Sequence, residues 1–287
     1  MIAIISALVS FLGWGIGDIF NTVATRKLGS FNASFYGYSV GMVLSILYIP
    51  FALDTVSKVN IETILITSVL AVIQVIAFFS YNEGLKVGNA SLVGTISGAF
   101  TTLVVIFSLI FFDEKLVFPQ ILAIVVTFLG LLLSSIHFSD LKNKKALINK
   151  GTLLAFAAML GWAIYFTFIK IPVRQTGFFW PTFITDIVGT LIFLIIGFPR
   201  IKWLKIPLQG GFSAVIISGL LLSIGTFGFN FGIEKGLSAI VAPIAGAYPA
   251  LFALLAFIIF KDPITNQQKI GMIITLCGII LLAYFSR

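Results

Sequence analysis

Two stretches decide the fold. Residues 82–133 read NEGLKVGNASLVGTISGAFTTLVVIFSLIFFDEKLVFPQILAIVVTFLGLLL, and residues 230–281 read NFGIEKGLSAIVAPIAGAYPALFALLAFIIFKDPITNQQKIGMIITLCGIIL. An offset of 148 superimposes them without a gap. Asn82 meets Asn230, Gly84 meets Gly232, Gly98-Ala99 meets Gly246-Ala247, and Gln120, Thr127 and Gly130 meet Gln268, Thr275 and Gly278. The same offset carries Gly13-Trp14 onto Gly161-Trp162, so the copy runs through the whole chain. An internal repeat fixes architecture before any local reading does. Here it predicts two homologous halves, residues 1–143 and 144–287.

Composition supplies the solvent. Hydrophobic residues make up 59% of the chain and charged residues 10%, against about 25% charged in soluble domains. No aqueous fold of 287 residues hides that much apolar surface, so the surroundings of most side chains are predicted to be lipid. The net charge of +8 does not point to nucleic acid, because the lysines and arginines fall between apolar runs, where they orient a membrane protein. The single cysteine, Cys277, lies within an apolar run and excludes a disulfide inside one chain. The first apolar stretch lacks the basic start and cleavage site of a secretory leader, and is expected to be kept as a helix.

A helix needs about 20 apolar residues to cross the hydrocarbon. Ten such runs are present, near 2–24, 34–53, 62–83, 90–112, 118–137, 151–172, 179–198, 212–233, 238–260 and 266–285. The predicted fold class is therefore an all-α membrane protein of ten transmembrane helices. Each half contributes five, an odd number, so the second half enters the bilayer upside down. This makes an inverted repeat about a pseudo-twofold axis in the membrane plane, a construction that builds transporters with a midplane site. Loops on one side hold 12 of the 18 lysines and arginines, which would place both termini outside. Pro243 and Pro249 fall inside the ninth run, and their repeat partners are Thr95 and Thr101. A helix break is accordingly expected in the second half alone, at Gly246 and Pro249, as a hinge for gating.

The early Gly-Trp of each half, the short link into a Gly/Ala/Ser-rich fourth helix and the acidic turn Phe112-Asp113-Glu114-Lys115, followed by Gln120 and Gly130, resemble the EamA family of the drug/metabolite transporter superfamily. In the second half the turn reads Phe260-Lys261-Asp262-Pro263, a departure from that pattern. The resemblance implies a central cavity among helices 1, 3, 4, 6, 8 and 9, helices 5 and 10 at the periphery or a homodimer face, and termini in the cytoplasm. It also implies alternating access for small organic solutes without ATP, often by proton exchange.

An ionisable residue inside a membrane helix is a functional candidate by default. Asp18 is the first of these. Trp14, Asp18, Asn21 and Thr25 share one helical face, which puts an aromatic ring, a carboxylate and an amide side by side. Asp18 is expected to hold a coupling proton or a substrate ammonium. Its alternative is a structural bond to a neighbouring helix. Lys170, two residues before Pro172, is expected either to pair with Asp18 across the pseudo-twofold axis, to bind a substrate carboxylate, or to reach the interface. Asp186 lies two turns from the start of its run and is expected near the headgroups in a structural role. Asn82 and Asn230 are expected to bond between helices. Tyr81, Thr95, Trp162, Tyr165 and Tyr248 add polar and aromatic surface to the central helices and complete the set of substrate or proton-binding candidates.

One histidine and one cysteine give no metal cluster, and no nucleotide loop or catalytic triad pattern occurs. No metal, cofactor or enzymatic activity is expected. The reading is a multi-pass transporter of a prokaryotic (inner) cell membrane that moves an amino acid, a sugar or an amine, with the solute and the bilayer as partners. The alternatives are a lipid flippase or scramblase, and a partner subunit that transports nothing.

Overall fold

The computed structural model describes residues 1–88, 90–135, 149–198, 211–260 and 265–286, without the side chains of Ala90, Ser91, Thr95, Ser135, Ala256 and Phe260. The described residues are helical almost throughout. Among the described residues nine helices are long and apolar enough to cross a membrane, and a shorter apolar helix, Phe118–Ser134, lies between the fourth and fifth of them. The spans are α1 (Ile2–Leu28), α2 (Ser30–Tyr48), α3 (Ile61–Val87), α4a (Ala90–Gly98) with α4b (Phe100–Phe111), and α5 (Phe118–Ser135). The second half follows with α6a (Lys150–Phe168) and α6b (Lys170–Thr176), α7 (Phe179–Gly197), α8 (Gly211–Lys235), α9a (Ser238–Ala245) with α9b (Tyr248–Phe260), and α10 (Asn266–Phe285). The chain is an all-α membrane protein of ten spans in two five-helix halves. The expected junction at 143/144, His137 and Asp262 lie outside the described residues.

Helix starts use side chains where bulk water is scarce. Asn60, Asn149 and Thr265 each accept a hydrogen bond from the backbone N–H three residues on, and Gln268 completes a capping box with Thr265. The turns from α1 to α2 and from α6b to α7 are made by Gly29 and Gly177, with φ of 81° and 86°. These two glycines are repeat partners, and a side chain at either would be strained.

The packing has the symmetry that the offset predicts. The contact of α1 with α8 is matched by that of α6a with α3, while α5 packs on α10, α2 on α7 and α4b on α9a. An added Cβ on Gly130 would stand 2.3 Å from the backbone nitrogen of Thr275, and one on Gly278 would stand 2.4 Å from the Thr127 hydroxyl. Both contacts are one relation, read once from each half. Gly13 faces the backbone of α8 at Leu221 and Gly225, a close approach that a small residue permits.

The helix break is not confined to the second half. The span ending in α4b is interrupted at Ala99 and the span ending in α9b at Gly246-Ala247, which are repeat-related positions. Proline is therefore not the cause. Pro249 is the second residue of α9b, where a missing N–H costs nothing, and Pro243 sits inside α9a. Close approach accounts for the break better. Gly98 faces the Pro249 ring and Gly246 faces Thr101, so the two interruptions pack against each other across the axis. The sixth span runs on to Thr176 instead of ending at Pro172, with the backbone bonds from Ile169 N to Tyr165 O and from Val173 N to Ile169 O carrying the helix through Ile169.

Candidate functional site

Two chambers lie inside the bundle, with cavity volumes of about 60 and 70 Å³. Each has room for a few waters or one small head group. The first is lined by Trp14, Asp18, Gln74, Phe78 and Phe100 from one half and by Trp162, Phe166, Leu222, Thr226 and Tyr248 from the other. At an offset of 148 these are five complete repeat pairs, so the chamber straddles the pseudo-twofold axis. That axis runs in the membrane plane, and the chamber therefore sits at the midplane, where inverted-repeat transporters hold their solutes.

Asp18 is the charged group of this chamber, buried at 4% exposure. The Tyr81 hydroxyl donates to its Oδ2 across 2.9 Å, and its repeat partner is Phe166. Around it stands an aromatic box. The ring of Trp14 lies 5.2 Å from Phe166, 5.6 Å from Phe229 and 5.9 Å from Tyr248, and that of Trp162 lies 5.0 Å from Tyr81 and 5.6 Å from Phe100. The Trp14 indole N–H donates to the Thr226 hydroxyl at 3.4 Å. The Trp162 indole N–H is buried and has no partner among the described residues.

The second chamber shares Gln74, Phe78, Leu222 and Thr226 with the first and continues toward α2 and α7. Tyr165 lines it, as do Tyr38 and Asp186, which are repeat partners of one another. Asp186, expected near the headgroups in a structural role, faces this chamber instead: two turns from its helix start its carboxylate meets α2. Its Oδ2 accepts a 2.7 Å hydrogen bond from Ser45.

The remaining candidates separate. Asn21 donates to the Asn82 side-chain oxygen at 2.9 Å, and Asn82 donates to the Ser34 hydroxyl at 2.8 Å. Asn230 donates to Thr182 at 2.7 Å, the same bond at the same offset. These amides bind helices together behind the chambers. Thr95 lies on α4a, but its side chain is outside the described residues. Lys170 corrects the expectation made for it. It is fully buried and paired with Glu114, not with Asp18, and it lines neither chamber. Asp113, with φ of 49°, turns the chain after α4b. Both oxygens of Glu114 then reach the free N–H groups at the start of α9a, at 2.9 Å from Ser238 N and 2.8 Å from Ala239 N.

Phe78, Phe100, Leu222 and Thr226 were not expected at the site. The offset could have found Phe100, the repeat partner of Tyr248. Among the described residues no lysine, arginine or histidine lines either chamber, and no three His, Cys, Asp or Glu side chains gather as metal ligands. Such a cavity can hold a proton or a small cation on a carboxylate, with ring faces to receive an ammonium group.

The profile of the EamA-like transporter family matches residues 1–136 and 149–284, once in each half. An uncharacterized protein of Methanocaldococcus jannaschii is 33% identical over 100 residues, which are 35% of this chain and 72% of the relative. A solved crystal structure that is 14% identical superimposes with a TM-score of 0.76, over 98% of this chain and 96% of the other.

Proposed function

We infer, from the premise that this chain belongs to the EamA-like transporter family, that it moves small organic amines through the midplane chambers by alternating access and exchanges them for protons at Asp18. Membership makes it a multi-pass membrane protein of a transporter family. The solute, the coupling and a prokaryotic cell membrane as its compartment are our reading.

One observation carries the choice of solute. The axial chamber combines a single carboxylate, Asp18, with an aromatic box and no cationic side chain. An ammonium group gains from both the charge and the ring faces, whereas a free carboxylate or phosphate would find nothing to pair with. A chamber of about 60 Å³ also favours an amine over a sugar ring. Coupling follows from occupancy. Asp18 holds either the solute's ammonium or a proton, and the two exclude each other at one carboxylate, so each crossing of the bound solute is answered by a proton returning. The moving parts of this reading are the interrupted spans, with Gly246 and Pro249 at one break and Gly98 and Thr101 at the other.

The test is flux in liposomes of purified protein with a pH-sensitive dye inside. Primary amines, amino acids and sugars are added in turn, and protein-free liposomes give the blank. Amines, and not sugars, should change the internal pH, and Asp18→Asn should abolish the change while the protein stays folded. Amine entry without a pH change would remove the coupling. No entry of any solute would overturn the transport reading and favour a scaffold or lipid-moving role.

A further inference from the structure

We propose that Asp186 forms a second cation subsite, so that the best solutes of this protein are short aliphatic diamines that bridge Asp18 and Asp186; the proposal rests on the amine reading above.

The second chamber repeats the logic of the first with different atoms. Asp186 projects from α7 and gives Oδ2 to Ser45, while Oδ1 lies 3.0 Å from where a Cβ on Gly41 would stand. A glycine thus leaves the space that the carboxylate occupies. The independent sign of a ligand is Tyr38. This residue is 8% exposed, lines the chamber, and carries a hydroxyl with no hydrogen-bond partner among the described residues. A buried hydroxyl in that state is rare and asks for a partner. A primary ammonium, with three N–H donors, can satisfy a carboxylate and two hydroxyl oxygens at once. Tyr165 stands on the same chamber, its hydroxyl 3.4 Å from that of Thr185.

The waist between the chambers has a chemistry of its own. Its shared walls are Gln74, Phe78, Leu222 and Thr226, which form two repeat pairs. Phe78 and Leu222 offer apolar surface to a methylene chain, and each end beyond it holds one carboxylate. The sequence of carboxylate, apolar waist and carboxylate matches ammonium, methylenes and ammonium. A monoamine would use only the Asp18 end, with its aromatic box. A dication would neutralise both buried charges together and should bind more tightly through this second contact.

The experiment compares a monoamine, n-butylamine, with 1,4-diaminobutane in reconstituted wild type, Asp186→Asn, Tyr38→Phe and Asp18→Asn, reading uptake and direct binding. In wild type the diamine should bind at least about tenfold more tightly than the monoamine, a comparison that needs no variant. Asp186→Asn should remove that advantage, the ratio of diamine to monoamine affinity falling to about one. Tyr38→Phe should reduce the diamine advantage in part. Asp18→Asn should abolish both. Equal affinity of wild type for the two amines would overturn the second subsite, as would a fall of both in parallel in Asp186→Asn, and in either case the amine reading would stand. No binding or uptake of either amine by wild type would overturn both readings.

Discussion

Asn82 donates to Ser34 and Asn230 donates to Thr182, and an offset of 148 carries the first bond onto the second. The two halves share a fold down to single hydrogen bonds. They differ in what each bond adjoins, since Asn82 also receives the Asn21 amide, whereas the side-chain oxygen of Asn230 has no partner among the described residues. Asn82→Ala should therefore destabilise more than Asn230→Ala. The loss should be about 1–2 kcal/mol against about 0.6 kcal/mol, read as the shift of thermal melting in detergent. Equal losses would show that the Asn21 bond contributes nothing.

Lys170 and Glu114 form a buried ion pair, and Glu114 also caps α9a. Removing one partner of such a pair leaves an uncompensated charge and costs about 3–5 kcal/mol. Lys170→Met alone should lower the melting temperature sharply. The double substitution Lys170→Met with Glu114→Gln should melt above Lys170→Met, because the stranded carboxylate is gone. Additive losses would deny the coupling. Transport should suffer less than stability in the double variant, since neither residue lines a chamber.

The paired breaks give a steric prediction. A Cβ on Gly246 would lie 1.9 Å from the Thr101 methyl and 2.6 Å from its Cβ, while one on Gly98 would meet the tip of the Pro249 ring at 2.8 Å. Gly246→Ala should be the more damaging, by about 1–3 kcal/mol as an overpacked site. Adding Thr101→Gly should restore much of the loss, a result that a purely conformational need for glycine at 246 would not produce.

Tyr81 holds Asp18 from α3. Tyr81→Phe removes one hydrogen bond to a charged group, worth about 1.5–3 kcal/mol, without emptying the chamber. Amine affinity should change about tenfold or more, and sugars should stay excluded. A variant indistinguishable from wild type would show that Asp18 works unaided.

Ten spans, with the short apolar helix Phe118–Ser134 as the fifth, place the two termini on the same side. Tags at the two ends, probed for protease or impermeant-reagent access in sealed vesicles, should give the same answer as each other.

The scaffold was legible in the sequence because both of its signals are one-dimensional. Apolar runs of bilayer length gave the spans, and a constant offset gave the halves. Asp18, Trp14, Trp162, Tyr165 and Tyr248 were legible for the same reason, as polar or aromatic residues within those runs. That Asp186 faces the second chamber was not legible, because its position along one helix does not say which neighbouring helix its side chain meets. None of the three expectations for Lys170 reached Glu114, because the acidic turn that holds it lies 56 residues earlier in the chain. Its burial beside α9a depends on a three-way contact that no spacing within one helix expresses. The interruption at Ala99 is not legible, because its span holds no proline and the contacts beside it, Gly98 on Pro249 and Gly246 on Thr101, join residues about 150 positions apart.

The lopsided repeat pairs bear on energetics as well as chemistry. Were the halves identical, the state open to one face and the state open to the other would be exchanged by the twofold axis and would have equal free energy in a symmetric bilayer. Here Asp18 opposes Phe166, Asp186 opposes Tyr38, Lys170 stands where the other half has Thr22, and Glu114 where it has Asp262. Under the alternating access proposed above, each of these pairs would lift that degeneracy and give the empty protein a preferred resting face. A carrier with such a preference binds its solute with different apparent affinities from the two sides, and so carries a built-in bias that the membrane gradients then work with or against.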